Sequence, residues 1–237
     1  QKGRRVLVVD NDPQGNLTAV TTAEPVEDDH VGLADALSAR TTETLRDVIV
    51  PGIWPGLDVV PTTGTTLGAV RDELVIAGAG REGRLREALA QIAEDYDLVL
   101  IDCPPSLGGL TRIGLAAADR AIIVTEPGVF AIAAADRALR AVHDVRTQLN
   151  PRLQPLGIVI NRVRPNIGEH RYRVEELTSL FGPLVLTQRI PERTSVQRAQ
   201  GAFVPIHTLR NPGAREVAAL FDGILAHALR AARRQRA

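Results

Sequence analysis

The sequence predicts an α/β fold in which a mostly parallel β-sheet is flanked by helices on both faces. Short apolar, β-branched runs recur along the 237 residues, and longer helical patterns separate them. Most of the apolar runs are continuous, as in strands that are covered on both faces. Strands that alternate with helices form parallel sheets through right-handed crossovers. Because no repeat or low-complexity linker interrupts the pattern, we expect a single domain over residues 1–237.

The predicted strands are apolar runs, in chain order Arg5–Asp10, Leu57–Pro61, Leu98–Asp102, Ala121–Thr125, Leu156–Asn161 and Leu184–Leu186. The predicted helices repeat apolar residues three and four positions apart, over Arg84–Glu94, Ile132–Leu149, Val174–Phe181 and Val217–Leu229. Two short helices are predicted over Ala34–Ala39 and Thr44–Ile49, within the less regular stretch 20–56.

The composition is that of a globular protein, with 44% hydrophobic and 24% charged residues. No apolar run approaches the ~20 residues of a membrane span. The single cysteine, Cys103, excludes a disulfide or a multi-cysteine metal site within these residues, and we expect it to be a packed side chain in a cytoplasmic protein. Since the sequence lacks methionine and begins with Gln1, we expect it not to be a complete translation product.

The zero net charge conceals a gradient along the chain. Residues 1–120 carry a net charge of −8 and residues 121–237 a net charge of +8. In some proteins such a charge gradient accompanies an anionic partner that binds the basic half. In others it is an ordinary segregation of surface charge. The counts alone do not separate these two interpretations.

Carboxylates follow two of the predicted strands. Asp10 and Asp12 end the first strand, before the turn residues Pro13 and Gly15, and Asp102 ends the third. In parallel α/β sheets ligands bind at the carboxyl ends of the strands, and such carboxylates suit Mg²⁺ and the positioning of water. Either end alone also fits a plain polar turn, whereas two in one chain favour a magnesium-dependent site.

These segments resemble one protein family. Residues 10–18, DNDPQGNLT, and residues 96–107, YDLVLIDCPPSL, are similar to the ParA group of deviant-Walker ATPases, which act in plasmid and chromosome partition and are close to MinD. The resemblance continues through Gly157–Asn161, Ile190–Pro191 and Asn211–Glu216 and covers nearly the whole chain. It implies a P-loop NTPase-like fold that uses ATP and Mg²⁺.

The resemblance also implies roles for the acidic residues. Asp12, in the switch I segment, would orient and activate the attacking water and contribute to the metal site. Asp10 would support the magnesium and phosphate side, and Asp102 would bind Mg²⁺ through water. By the same resemblance, Pro104 to Gly109 would form switch II, which senses the γ-phosphate.

Two further residues are implied to contact the nucleotide base. Asn161 would hydrogen-bond the adenine edge, and Pro191 would flank the base.

The sequence departs from the family in its phosphate-binding loop. A P-loop reads Gly-x-x-x-x-Gly-Lys-Ser/Thr, yet the only lysine is Lys2. Residues 1–3 resemble either the end of the family's first helix, with Gly3 as its C-cap, or the front of its Gln-Lys-Gly-Gly segment, with Lys2 as the early lysine. We favour the first interpretation. The expected fold therefore lacks the first strand, P-loop and first helix, and we expect the chain as written to bind and hydrolyse ATP weakly or not at all.

The resemblance further implies a homodimer that binds DNA non-specifically and is stimulated by a ParB-like partner on the nucleoid. The candidate DNA contacts are the arginines of the basic half: Arg189, Arg193, Arg198, Arg210 and Arg215. The basic tail Leu225–Arg236 could lie on a membrane, as in MinD-type relatives, but we expect it to pack on the core without stable membrane insertion. The alternatives are a non-catalytic binding module without a P-loop, a MinD-like positioning ATPase, and a superfamily amidoligase or reductase.

Overall fold

The computed structural model describes residues 3–38, 40–64 and 82–236. Its strands are β1 (Val6–Asp10), β2 (Val50–Pro51), β3 (Leu57–Val60), β4 (Leu98–Asp102), β5 (Arg120–Thr125) and β6 (Gln154–Ile160). Its α-helices are α1 (Asn16–Thr21), α2 (Leu33–Leu37), α3 (Leu45–Val48), α4 (Arg84–Ala90), α5 (Gly109–Ala117), α6 (Ala131–Gln148), α7 (Gly168–Phe181), α8 (Thr194–Gly201) and α9 (Pro212–Arg236). Short 3₁₀ turns cover Ala93–Asp95, Gly182–Leu184 and Ile206–Thr208.

The chain packs as two compact units, which are described separately. The first comprises Gln1–Ala118 with Thr147–Pro151, and the second comprises Asp119–Arg146 with Arg152–Ala237. The expectation of one domain over residues 1–237 stays a prediction.

The first unit contains a sheet with the strand order β2-β3-β1-β4. Strand β1 is parallel to β3 and to β4, and the short β2 is antiparallel to β3. Crossover connections of this kind carry the carboxyl ends of β1, β3 and β4 to the same edge of the sheet. The predicted parallel α/β architecture is confirmed here.

The core of the first unit forms where helices cover this sheet. Fully buried Leu7 and Val9 of β1 pack with Val60 of β3, with Leu85 of α4 and with Ile113 of α5. Each such side chain contributes roughly 1.5–3 kcal/mol when buried. This apolar layer fixes β1 in position, and the polar loop after Asp10 begins where the layer ends.

The second unit is built around the parallel pair β5 and β6. Its core packs Ile158 and Ile160 of β6 against Val174 and Leu177 of α7. The predicted strand Leu184–Leu186 is wrong: Leu184 ends a 3₁₀ turn, and Val185 makes only an isolated bridge to Ile158.

Several predicted boundaries and faces differ from the structure. Helix α7 begins six residues before the predicted Val174, and α9 extends beyond both ends of the predicted Val217–Leu229. Strand β5 alternates, with Ile122 43% and Val124 62% exposed, although its continuous apolar run predicted cover on both faces. No helix among residues 3–38, 40–64 and 82–236 is long and apolar enough to cross a membrane.

Candidate functional site

The carboxyl ends of β1 and β4 lie side by side. Their parallel register pairs Asp10 with Asp102, and the backbone N–H of Asn11 donates to the Asp102 carbonyl oxygen at 2.9 Å. Neighbouring strands are about 4.8 Å apart, and Asp12 follows Asp10 by two positions. The structure therefore brings Asp10, Asp12 and Asp102 to one edge of the sheet.

The Asp10 carboxylate is fully buried and faces the start of α1. Its Oδ2 accepts hydrogen bonds from the Thr18 backbone N–H at 2.8 Å and from the Thr18 hydroxyl at 2.7 Å. Its Oδ1 accepts from the Asp12 N–H at 3.2 Å. Helix α1 has no side-chain cap at Gly15, so Asp10 satisfies a first-turn N–H and places negative charge at the helix N-terminus.

Thr62, just after β3, completes this arrangement. Its backbone N–H donates to Thr18 Oγ1 at 3.0 Å, and its hydroxyl donates to the Asp10 carbonyl oxygen at 2.6 Å. Both threonines are buried. We call these three residues, Asp10, Thr18 and Thr62, the Asp10 lock. Asp10 therefore acts through the loop that it holds, and its predicted support of a magnesium site stays a prediction.

Asp12 stands on the loop that the Asp10 lock holds. Its Oδ1 accepts from the Gln14 N–H at 3.0 Å, and its carbonyl oxygen accepts from the Gly15 N–H at 3.0 Å. Gly15 has φ 62°, a left-handed conformation that glycine adopts without strain. Within the described residues Asp12 Oδ2 makes no hydrogen bond, so this half-buried carboxylate keeps one oxygen for a water or an ion.

Asp102 is exposed at the end of β4. Lost hydration at the strand end raises the pKa of Asp102 above its ordinary value, and the nearby charges of Asp10 and then Asp12 raise this pKa further. The same crowding that disfavours ionisation of Asp102 favours a bound cation, because a cation removes the repulsion between the carboxylates.

The donor set of this edge fits Mg²⁺ only in part. No group of three or more His, Cys, Asp or Glu side chains in the described part of the chain can hold a metal ion alone. Magnesium usually keeps several waters and takes one or two carboxylates together with substrate phosphates. The hard oxygens of Asp102 and Asp12 suit that shared coordination.

The predicted switch II, residues 104–109, joins β4 to α5. Most of it is exposed, with Pro104 and Gly109 half-buried at its ends. The hydroxyl of Thr111 donates to the carbonyl oxygen of Ser106 at 2.5 Å, which ties the loop to the first turn of α5. Such a loop is anchored at both ends and open in its middle.

Cys103 is half-buried at the start of this loop, as predicted for a packed side chain. Burial raises the pKa of the Cys103 thiol to about 11, while a hydrogen bond from Asn11 opposes this shift. At neutral pH the side chain is therefore a thiol, which is a poor nucleophile.

The second unit places Asn161 and Pro191 on adjoining segments. The Asn161 backbone N–H donates to the Thr125 carbonyl oxygen at 2.8 Å, and its half-buried side-chain amide has no hydrogen-bond partner among the described residues. Pro191 is buried and bridges to Val163, two residues after Asn161. An unpartnered amide and a buried proline on adjoining segments would suit the edge and the face of a planar base, and the roles of Asn161 and Pro191 stay predictions.

The candidate DNA-binding arginines differ in their surroundings. Arg189, Arg198, Arg210 and Arg215 are exposed, and Arg189 also lines a cleft of about 360 Å³ with Pro191. Arg193 instead forms a two-pronged ion pair with Glu216, at 2.9 and 3.2 Å.

The expected lack of the first strand, phosphate loop and first helix stays a prediction. Gly3 has φ 68°, a left-handed conformation that glycine adopts without strain, and Gln1 and Lys2 lie outside the described residues. Neither interpretation of Lys2 is therefore tested.

Asn11, Thr18, Thr62 and Thr111 are site residues that the sequence did not indicate. Each is a common turn or helix residue. Asn11, Thr18 and Thr62 matter through hydrogen bonds between distant segments, and Thr111 matters through a hydrogen bond to the preceding loop. Asn11 and Thr18 offered a signal, since both lie in the family-like segment 10–18.

The Thr18→Val substitution tests the Asp10 lock. It keeps the side-chain shape but removes one donor to the buried Asp10 carboxylate and the acceptor for Thr62. We expect a loss of about 1–3 kcal/mol in the free energy of unfolding by urea. Thr21→Val is the control, because the Thr21 hydroxyl only donates to the helical Leu17 carbonyl oxygen. Equal losses in the two variants would contradict the lock.

The Asp102→Asn substitution tests the crowding of carboxylates. Because the folded pKa of Asp102 is raised, ionised Asp102 opposes folding at neutral pH, and we expect the variant to melt a few degrees higher. The gain should shrink as the pH falls through the folded pKa and vanish below the unfolded pKa, near 3.9. Thermal melts from pH 3 to 8 measure this. The exposed Glu94→Gln serves as the control, and a variant that melts lower at neutral pH would refute the prediction.

A protein-family profile described as an AAA domain matches residues 1–155. The chain is 38% identical over 87% of its length to an uncharacterized protein of Mycobacterium tuberculosis, of which it spans 64%. It is similar to the cobyrinic acid a,c-diamide synthase structure from Mycobacterium smegmatis with bound ATP analog and magnesium, with 30% identity, TM-score 0.77, and coverage of 95% and 84% of the two chains.

Among the named relatives is the chromosome-partitioning ATPase Soj of Thermus thermophilus, 31% identical over 94% of this chain and 84% of that protein. The sporulation initiation inhibitor protein Soj of Bacillus subtilis is also 31% identical, over 93% and 85% of the two chains. Since these matches extend over most of both proteins, the chain belongs to the ParA family of P-loop ATPases, which use ATP and Mg²⁺.

Proposed function

We propose that this protein is a ParA-type ATPase of chromosome or plasmid partition. In this proposal Mg²⁺ and ATP drive the formation of a homodimer that binds DNA non-specifically, and hydrolysis, stimulated by a ParB-like partner, switches DNA binding off. The protein would be cytoplasmic and associated with the nucleoid. The observation that carries the proposal is the convergence of Asp10, Asp12 and Asp102 at the end of the parallel sheet.

The chain's own residues divide the work of such a site. Asp12, with one free oxygen, would hold the attacking water, and the Asp10 lock would keep the Asp12 loop in place. Asp102 would hold Mg²⁺ through water. Bound Mg²⁺ would neutralise charge on the phosphates. Asn161 would donate to or accept from the adenine edge, and Pro191 would cover one side of the base.

The phosphate loop limits what these 237 residues do alone. Phosphoryl transfer depends on backbone N–H groups and a lysine that cradle the β- and γ-phosphates. No Gly-x-x-x-x-Gly-Lys-Ser/Thr segment is present in the sequence. The carboxylates would therefore meet the phosphates without their main source of positive charge.

ATP hydrolysis by two forms of the protein tests this proposal. We expect the 237-residue chain to show no robust magnesium-dependent turnover. Its rate of ATP hydrolysis should be lower, by about 100-fold or more, than that of a form extended by an upstream Gly-Lys-Thr loop. Asp12→Asn in the extended form should abolish turnover while leaving nucleotide binding, and Glu94→Gln should change neither. Robust turnover by the 237 residues alone contradicts the role of the missing loop, and an inactive extended form contradicts the ATPase.

A non-catalytic binding module, which would keep the fold and the switch loops for binding alone, is the second candidate. The gene sequence immediately upstream of Gln1 discriminates between the two, because a Gly-Lys-Thr loop there supports the enzyme and its absence supports the module. A MinD-like positioning ATPase would use the basic end of α9 on a membrane. The similarity to a diamide synthase makes an amidoligase a further candidate. The exposed arginines do not favour this candidate.

DNA binding is supported by the basic half of the chain. Residues 121–237 carry a net charge of +8, and four of the five candidate arginines are exposed. Guanidinium groups on one face suffice for contacts to phosphates, which carry no sequence information. The ion pair with Glu216 makes Arg193 the weakest of these candidates.

A salt titration of binding to duplex DNA of arbitrary sequence tests this surface. We expect affinity to fall steeply with salt, and Arg198→Ala and Arg215→Ala each to lower the slope of log K against log salt by about 1. Arg193→Ala is the matched control and should leave the slope nearly unchanged. A flat salt response, or a larger effect of Arg193 than of the exposed arginines, would overturn the assignment.

A further inference from the structure

The buried amide of Asn11 has no role in the proposed function as stated so far. Asn11 lies between Asp10 and Asp12, and its side chain is fully buried. Its Nδ2 donates to the Leu110 carbonyl oxygen at 2.8 Å and lies 3.9 Å from Cys103 Sγ. Its Oδ1 is buried and has no hydrogen-bond partner in the described part of the chain.

We propose that Asn11 is a positioning residue, a latch that couples switch II to the strand carrying Asp10 and Asp12. The inference rests on the proposed function in one respect, the assignment of residues 104–109 as the segment that responds to the γ-phosphate. The latch itself is a property of the ligand-free chain.

The latch bonds both ends of switch II through one residue. The Asn11 backbone N–H donates to Asp102, before the loop, and its side chain donates to Leu110, after the loop. Within the loop, the Ser106 carbonyl oxygen accepts a hydrogen bond from the hydroxyl of Thr111, which follows Leu110. A displacement of switch II is therefore transmitted to the residue that lies between Asp10 and Asp12.

The surroundings allow one orientation of the amide. The reverse orientation would set Oδ1 against the Leu110 carbonyl oxygen, two acceptors without a hydrogen between them. Helix α5 approaches closely because residue 114 is glycine: a Cβ there would lie 2.6 Å from Cys103 Sγ and 3.4 Å from Asn11 Nδ2. Gly114 thus makes room for the latch.

The unpartnered oxygen makes the latch easy to open. A buried acceptor without a donor destabilises the closed arrangement, and this offsets much of what the hydrogen bond to Leu110 contributes. A fully satisfied amide would hold the first turn of α5 more firmly. A contact whose favourable hydrogen bond is nearly offset by a buried, unpartnered oxygen suits a segment that must move when a ligand binds.

Hydrogen exchange in the ligand-free 237-residue chain tests the latch. Asn11→Leu keeps a side chain of similar size and removes both the donor and the unpartnered oxygen. We expect amides in the first turns of α5 to exchange severalfold faster, and the ¹³C shift of the Leu110 carbonyl to change. The β1 and β4 ladder amides should stay protected, and the melting temperature should be unchanged or raised.

Val48→Ala, at a fully buried site on α3, is the control for general destabilisation. It should lower the melting temperature and speed exchange across the whole unit, without moving the Leu110 shift. Gly114→Ala gives a second approach, because the added Cβ would press on Cys103 and Asn11 and should release α5 in the same local way. Unchanged exchange in α5 for both variants, or uniform acceleration through the unit, would overturn the latch.

The outcome is separable from that of the proposed function. If the extended form is inactive but Asn11→Leu still speeds exchange locally in α5, the latch is supported and the ATPase proposal is refuted. If the extended form is active but substitution of residue 11 does not change exchange in α5, the ATPase proposal is supported and the latch is refuted.

Discussion

The buried carboxylate of Asp10 is the constraint on which the acidic edge of this protein depends. A charge removed from water persists in a fold only if hydrogen bonds replace its hydration. Thr18, from the next helix, and the Asp12 N–H supply those bonds, while Thr62, after β3, ties Thr18 and the Asp10 backbone together. Satisfying one carboxylate therefore fixes the path of the whole loop that carries Asp12, and with it the place where a water or ion can be held.

The same edge of the sheet combines a carboxylate that is stabilised by hydrogen bonds with one that is destabilised by its surroundings. Asp10 is fully hydrogen-bonded, whereas Asp102 loses hydration and faces the charges of Asp10 and Asp12. Repulsion of this kind lowers the stability of the ligand-free fold, and a divalent cation or a protein loop with positive charge would relieve it. In a family that uses ATP and Mg²⁺, this surplus of negative charge would favour a bound divalent cation.

Much of this could be predicted from sequence, for identifiable reasons. Continuous apolar runs located five strands within two residues, since burial and β-branching are local properties of the chain. The run at Leu184–Leu186 has the same composition, but Leu184 ends a 3₁₀ turn, and the remaining residues form only an isolated bridge to Ile158. The acidic residues were found because they follow strands, and the parallel arrangement then placed Asp10 beside Asp102.

By itself, the sequence determined the alternation of strands and helices, the carboxylates at the ends of the strands, and the family. Tertiary structure alone decided that Asp10 is buried while Asp102 is exposed, that Asn11 reaches Leu110 across 99 positions, and that Glu216 occupies Arg193. The physical reason is range. Backbone preference and hydrophobic periodicity act over a few residues, whereas hydrogen bonds and charges act between segments that only the folded chain brings together.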